Sequence, residues 1–467
     1  MTKRIISLSF LALFLFSATV YADNRAAKSG GAGKKIFKGA ILNGSKQGQA
    51  TGFADIDGDG TDDRIVGAPY AVSASSTGAV LVFKGAADGT FYSSPSMLLN
   101  GDDNYGFSFA NLGDVTGDGK EEYAVGAIHG DGPNVSLCGS VTVYRGGKNK
   151  ANKKVLAKLS GEGPMDKFGY FISAGDLDGD GKKDLVTGAP FNTNEPSLYQ
   201  GGAIYIYFAP DFTNKAVLHA SSQSKGLGWS AATGDINGDG IPDLCISASG
   251  KVLCYYGMTG FNPSIDTPDV TIKSSSSGFG KAVAITGDIN GDGFGEILIG
   301  APNAVINGQR DTGSVYIVQG GAGTRTINLN SASADLIGRI DGSTLFDRFG
   351  STITPLGDTD GNQKADFAIG APMADTEIHS LAGTVYYFKG EDINSAGTLA
   401  NSTAFEGSAS DQRYGSCISV TKNGRILVGA PGAATGMGVS FLVDITTGQV
   451  VPGKTGSGTA GNNTDCH

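Results

Sequence analysis

The chain has 467 residues, 74 of them glycine, with 40% hydrophobic residues, 17% charged residues and a formal net charge of −10. That is too apolar for a disordered chain and too rich in glycine for a helical one, and it fits a turn-rich β protein with enough chain to bury a sizeable core. The balance is acidic and no basic patch stands out, so nucleic acid is excluded as the expected partner.

At the N-terminus Lys3 and Arg4 precede an apolar run over residues 5–16, and Val20, Tyr21 and Ala22 give a small-residue cleavage pattern before Asp23. Residues 1–22 therefore read as a secretory signal peptide rather than an anchor, since a bilayer span needs about 20 apolar residues. Residues 23–33 read as a flexible segment, 34–450 as the folded region and 451–467 as a disordered tail rich in Gly, Thr and Asn. The expectation is an exported protein with no transmembrane anchor, secreted, periplasmic or at the cell surface. Sequons at Asn134, Asn401 and Asn462 matter if the source glycosylates its exports.

From there the chain repeats. Gly-Ala-Pro or a near relative begins at Gly67, Gly126, Gly188, Ser247, Gly300, Gly370 and Gly429, a period of about 60 residues. Each unit holds four short apolar runs bounded by Gly, Asn and Asp; in the third they cover 168–175, 184–190, 202–209 and 216–221. Runs of this kind predict four antiparallel strands per unit. One such sheet cannot bury both of its faces, and seven stacked radially can, which predicts an all-β, seven-bladed β-propeller. Residues 34–44, KKIFKGAILNG, resemble the second half of a unit, and the seventh unit runs out after 438–444. An N-terminal strand is thus expected to close the last blade.

Five cysteines are too few to staple a chain of this size. Cys245 and Cys254 flank Ser249-Gly250 symmetrically, so a two-residue hairpin would set them opposite each other, as a disulfide or as two buried thiols.

Six units carry an acidic nine-residue loop with oxygen side chains at positions 1, 3, 5 and 9. The first uses Asp55, Asp57, Asp59 and Asp63; the second Asp114, Thr116, Asp118 and Glu122; the third Asp176, Asp178, Asp180 and Asp184. The fourth uses Asp235, Asn237, Asp239 and Asp243; the fifth Asp288, Asn290, Asp292 and Glu296; the sixth Asp358, Asp360, Asn362 and Asp366. The seventh position in each adds a backbone carbonyl, from Thr61, Lys120, Lys182, Ile241, Phe294 and Lys364. Calcium takes six to eight oxygens, and without a cation these carboxylates would repel one another. A solvated acidic turn explains one such loop but not six in register. Five calcium sites are expected; Asn362 and Gln363 leave the sixth open, and the seventh unit has only the basic turn TKNGRI at 421–426. Metal loading would also account for the acidic balance.

The dipeptides at Tyr105, Phe168, Leu227, Phe279, Phe349 and Tyr414, each followed by glycine, together with the acidic loops and the Gly-Ala-Pro triplets, resemble the FG-GAP repeats of integrin alpha-subunit propellers. The first unit departs with Gln47-Gly48 and the fourth with Ser247-Ala248-Ser249. The resemblance implies a seven-bladed propeller with calcium in the hairpin loops of one face. No adhesion domain is inserted between the units, and residues 341–345, DGSTL, place Leu345 where a DxSxS adhesion motif has serine, so they read as a turn.

Calcium bound wholly within one loop is structural rather than catalytic. Function is then expected in the loops after Gly-Ala-Pro, with Tyr70, His129, Phe191, Tyr199, Arg310 and His379 as candidate contacts. The leading reading is a calcium-binding recognition or adhesion module for an extracellular protein or glycan. The alternatives are an exported hydrolase or lyase using the propeller face, and a scaffold component of an extracellular assembly. The four histidines show no catalytic spacing, and no catalytic residue is assigned.

Overall fold

A computed structural model describes residues 49–71, 77–101, 103–147, 154–193, 199–222, 225–393, 399, 402–422, 424–433 and 438–451. The signal peptide and the closing strand expected at 34–44 lie outside the described residues, as do Asn401, Asn462 and the tail beyond 451.

The described strands form seven sheets, taken in order along the chain. In the first, Thr51–Ala54, Asp63–Ala68, Ala79–Phe83 and Met97–Asn100 lie side by side, each antiparallel to the next. The same order recurs in the second, third and sixth. The first strands of successive sheets touch one another around a closed circuit that ends where Cys417–Val420 meets Thr51–Ala54. The fold is a seven-bladed β-propeller, as the repeat predicts, with no α-helix among the described residues.

Three blades depart from the regular pattern. Arg325–Asn328 leaves the fifth blade and adds a fifth, parallel strand outside Val270–Lys273 of the fourth, while Leu336–Asp341 completes the fifth blade. The seventh sheet has three described strands. At the outer edge of its third, Val439–Val443, the chain folds back so that Val450 pairs with Val443 and the Val451 N–H donates to Leu442 at 2.8 Å.

The core lies between the blades. Seven apolar clusters each draw on two neighbouring sheets; the last joins Phe53 and Leu81 of the first blade to Leu427 and Leu442 of the seventh. Second strands such as Glu122–Ala127 and Asp184–Ala189 are buried along their whole length because a blade covers each face, so they lack a polar alternation.

Both halves of the repeat motif meet at the blade seams. A Cβ at Gly67, Gly126, Gly188, Gly300 or Gly370 would run into the carbonyl oxygen of the glycine at 106, 169, 228, 350 or 415 in the next blade. Small residues stand there because two backbones touch. In the fourth blade Ser247 occupies this place, and its Oγ accepts the Ser230 N–H at 3.1 Å. Cys245 and Cys254 pair across adjacent strands and form a disulfide, which settles the alternative the sequence left open.

Candidate metal centres and the opposite face

Each acidic loop joins the first strand of a blade to the second, so all six lie at one end of the propeller. Their shape comes from the first aspartate. Asp55 accepts the N–H groups of Gly58, Asp59 and Gly60 at 2.8, 3.0 and 2.8 Å, and Asp114, Asp176, Asp235, Asp288 and Asp358 take corresponding bonds. The fifth side chain accepts the N–H of the seventh residue, as Asp180 does from Lys182 at 2.8 Å and Asp239 from Ile241 at 2.8 Å. The sixth position needs a left-handed backbone, which glycine supplies in five loops; in the sixth loop Gln363 adopts it at φ 67°.

The ninth carboxylate ties the loop to the blade. Asp63, Asp184, Asp243 and Asp366 accept the N–H of Gly85, Ala209, Gly257 and Gly390 from the third strand's end at 2.9, 3.0, 2.8 and 2.9 Å. Burial pushes Asp63, Asp184 and Asp243 up to about 7 and Glu296 up to about 8, and it raises Glu122 as well.

In five loops, ligand atoms from three carboxylates lie within 4.8 Å of one another: Asp55, Asp57 and Asp59; Asp114, Asp118 and Glu122; Asp176, Asp178 and Asp184; Asp288, Asp292 and Glu296; Asp358, Asp360 and Asp366. Among the described residues the fourth loop forms no such group, and the sixth, left open by the sequence, does. Glu296 is fully buried, and its Oε1 has no hydrogen-bond partner. A buried carboxyl oxygen without a donor, facing two further carboxylates, fits a hard divalent cation of the calcium type, which would hold the group ionised. The carboxylates named above would hold it, and it would cancel their repulsion.

Basic side chains reach some of these loops. Lys84 Nζ lies 2.5 Å from Asp57 and 2.9 Å from Asp59, Arg145 Nε 2.8 Å from Asp118, and Lys389 Nζ 2.8 Å from Asp360.

The other end of the propeller carries the segments that follow Gly-Ala-Pro. Tyr70, Tyr199 and Arg310 are exposed, whereas His129 is half-buried, with Nδ1 2.6 Å from Asn104 Oδ1, and burial lowers its pKa. His379 is half-buried and belongs, like His129, to no metal-binding group among the described residues.

Phe191 belongs to a cluster that sequence reasoning missed. Its ring lies 5.5 Å from Trp229, Trp229 lies 5.2 Å from Tyr170, and Tyr170 lies 5.4 Å from Phe107. Lys281 Nζ sits 3.6 Å over the Trp229 ring and Lys167 Nζ 4.4 Å over Phe191. Phe107, Tyr170, Trp229 and Lys281 each directly follow a dipeptide ending in glycine, and that shared offset was the signal that could have found them.

An FG-GAP repeat model matches residues 168–207, 227–257 and 279–318, which fall in the third, fourth and fifth blades. The chain is similar to integrin alpha-PS2 of Drosophila melanogaster, 30% identical over 289 residues, covering 61% of this chain and 16% of that protein. It is likewise similar to integrin alpha-V of Gallus gallus, 28% identical over 226 residues, covering 45% of this chain and 20% of that protein. Seven sheets in a ring with FG-GAP repeats define a repeat propeller. The chain thus carries FG-GAP repeats in three of its blades and is similar to integrin alpha subunits, and it spans less than a quarter of the relatives it matches. No helix among the described residues is long and apolar enough to cross a membrane.

Proposed function

We propose that the protein is a calcium-binding extracellular recognition module that holds a protein or glycan partner on the face opposite its acidic loops. The observation that carries the reading is the division of labour between the two ends. Carboxylates converge at one end, within single loops, while the half-buried rings of Phe107, Tyr170, Phe191 and Trp229, drawn from three blades, gather at the other. Rings of this kind stack on sugar faces and on apolar or cationic side chains at little entropic cost. The apolar N-terminus with its cleavage pattern and the Cys245–Cys254 disulfide favour an exported protein, since disulfides persist in oxidising compartments.

The test is a glycan and extracellular-protein array probed in calcium, then with chelator, using the native chain and Trp229→Ala. A hit lost with chelator and weakened by Trp229→Ala supports the reading. A blank array from a folded, calcium-loaded sample overturns it.

A further inference from the structure

The six acidic loops differ in one residue just past the third strand; in five blades it precedes the N–H that caps the ninth carboxylate, whereas in the fifth blade no cap reaches Glu296 Oε1. That place is held by Lys84, Arg145, Phe208, Tyr256, Gln319 and Lys389 in the first to sixth blades. Lys84, Arg145 and Lys389 reach loop carboxylates through the ion pairs given above. In the fifth blade Gln319 offers Asp292 only a neutral hydrogen bond, at 2.7 Å. Tyr256 turns its hydroxyl away, to the Gly321 and Gly323 carbonyls at 2.8 and 3.0 Å, and Phe208 is buried. No basic side chain pairs with the third, fourth or fifth loop among the described residues.

We propose that Lys84, Arg145 and Lys389 are built-in counter-ions, which divide the loops with converging carboxylates into a cation-independent set in blades one, two and six and a cation-dependent set in blades three and five. This deepens the calcium reading above and rests on it. An ammonium or guanidinium within 3 Å of a loop carboxylate already supplies part of the charge a divalent ion would bring, and the ion must displace it to bind. Blades three to five have no such substitute. The fifth contains the partnerless, fully buried Glu296 Oε1 with no basic side chain near it among the described residues; in the first loop Asp57 Oδ1 is likewise without a hydrogen-bond partner, but Lys84 Nζ lies 2.5 Å from the other oxygen of that carboxylate. The repeat model also matches blades three, four and five.

The test is calcium titration calorimetry of the full chain, with hydrogen exchange by mass spectrometry before and after chelation. The expected result is a tight class of sites and a class weaker by about tenfold. Chelation should raise exchange at 176–184 and 288–296 well above 55–63, 114–122 and 358–366. Lys84→Gln should tighten calcium binding and make exchange at 55–63 chelator-sensitive, and Phe208→Lys should do the reverse at 176–184. Calcium binding with equal response in these five loops, and no shift in either variant, overturns the proposal and leaves the calcium reading standing. No binding heat and no chelator effect anywhere overturns both.

Discussion

The two ends of this propeller are built by different rules. At the acidic end each loop is a local object: Asp176 folds the chain around itself, and Asp178 and Asp184, a few residues on, complete the group. At the opposite end nothing is local, because Phe107, Tyr170, Trp229 and Lys281 come from four successive blades. A local site can be copied with the repeat, while a composite one appears once, wherever neighbouring blades contribute matching side chains.

The largest expected effect comes from breaking the seam that holds both ends in place. A side chain at Gly188 would run into the Gly228 carbonyl and the Phe171 ring, so Gly188→Val is expected to destabilise by about 3 kcal/mol. Thermal melting of native and variant chains checks this, and both ends should suffer together.

Next in size, chelation should expose the acidic end alone. The ninth carboxyls of Asp63, Asp184, Asp243 and Glu296 are held by burial at about 7 to 8, above their unfolded values. The folded metal-free protein therefore holds protons more tightly than the unfolded chain, so stability is greatest at low pH and falls as pH rises from about 4 towards 8. A drop in melting temperature on the order of 5 °C between pH 5 and pH 8 is expected in chelator. With saturating calcium the slope should vanish or reverse.

Trp229→Ala should test the other end alone. It removes the ring shared by Tyr170, Phe191 and Lys281, for an expected loss of about 2 kcal/mol. Calcium stoichiometry by calorimetry should stay unchanged, and a fall in it would show that the two ends are coupled.

The smallest effect is a gain. Gln363 holds a φ of 67° where the other loops have glycine, so Gln363→Gly should stabilise by about 0.5–1 kcal/mol. Chemical denaturation would resolve it, and no change would mean that local hydrogen bonds of the sixth loop already offset the strain.

The sequence by itself determined whatever is written within one unit: the strand runs, the acidic loops, the hairpin that pairs Cys245 with Cys254, and through the period the seven-bladed ring. Spacing along the chain is distance in space when the contacts lie a few residues apart, so a repeat makes them legible. Only the tertiary structure decided that Arg325–Asn328 crosses to the fourth blade, that Val450 returns to Val443, that Lys84 and Lys389 reach acidic loops while Phe208 does not, and that Trp229 sits between Tyr170 and Lys281. These contacts join residues tens of positions apart or at unrepeated places, where the pattern of one unit says nothing about its neighbour, and packing between blades selects them.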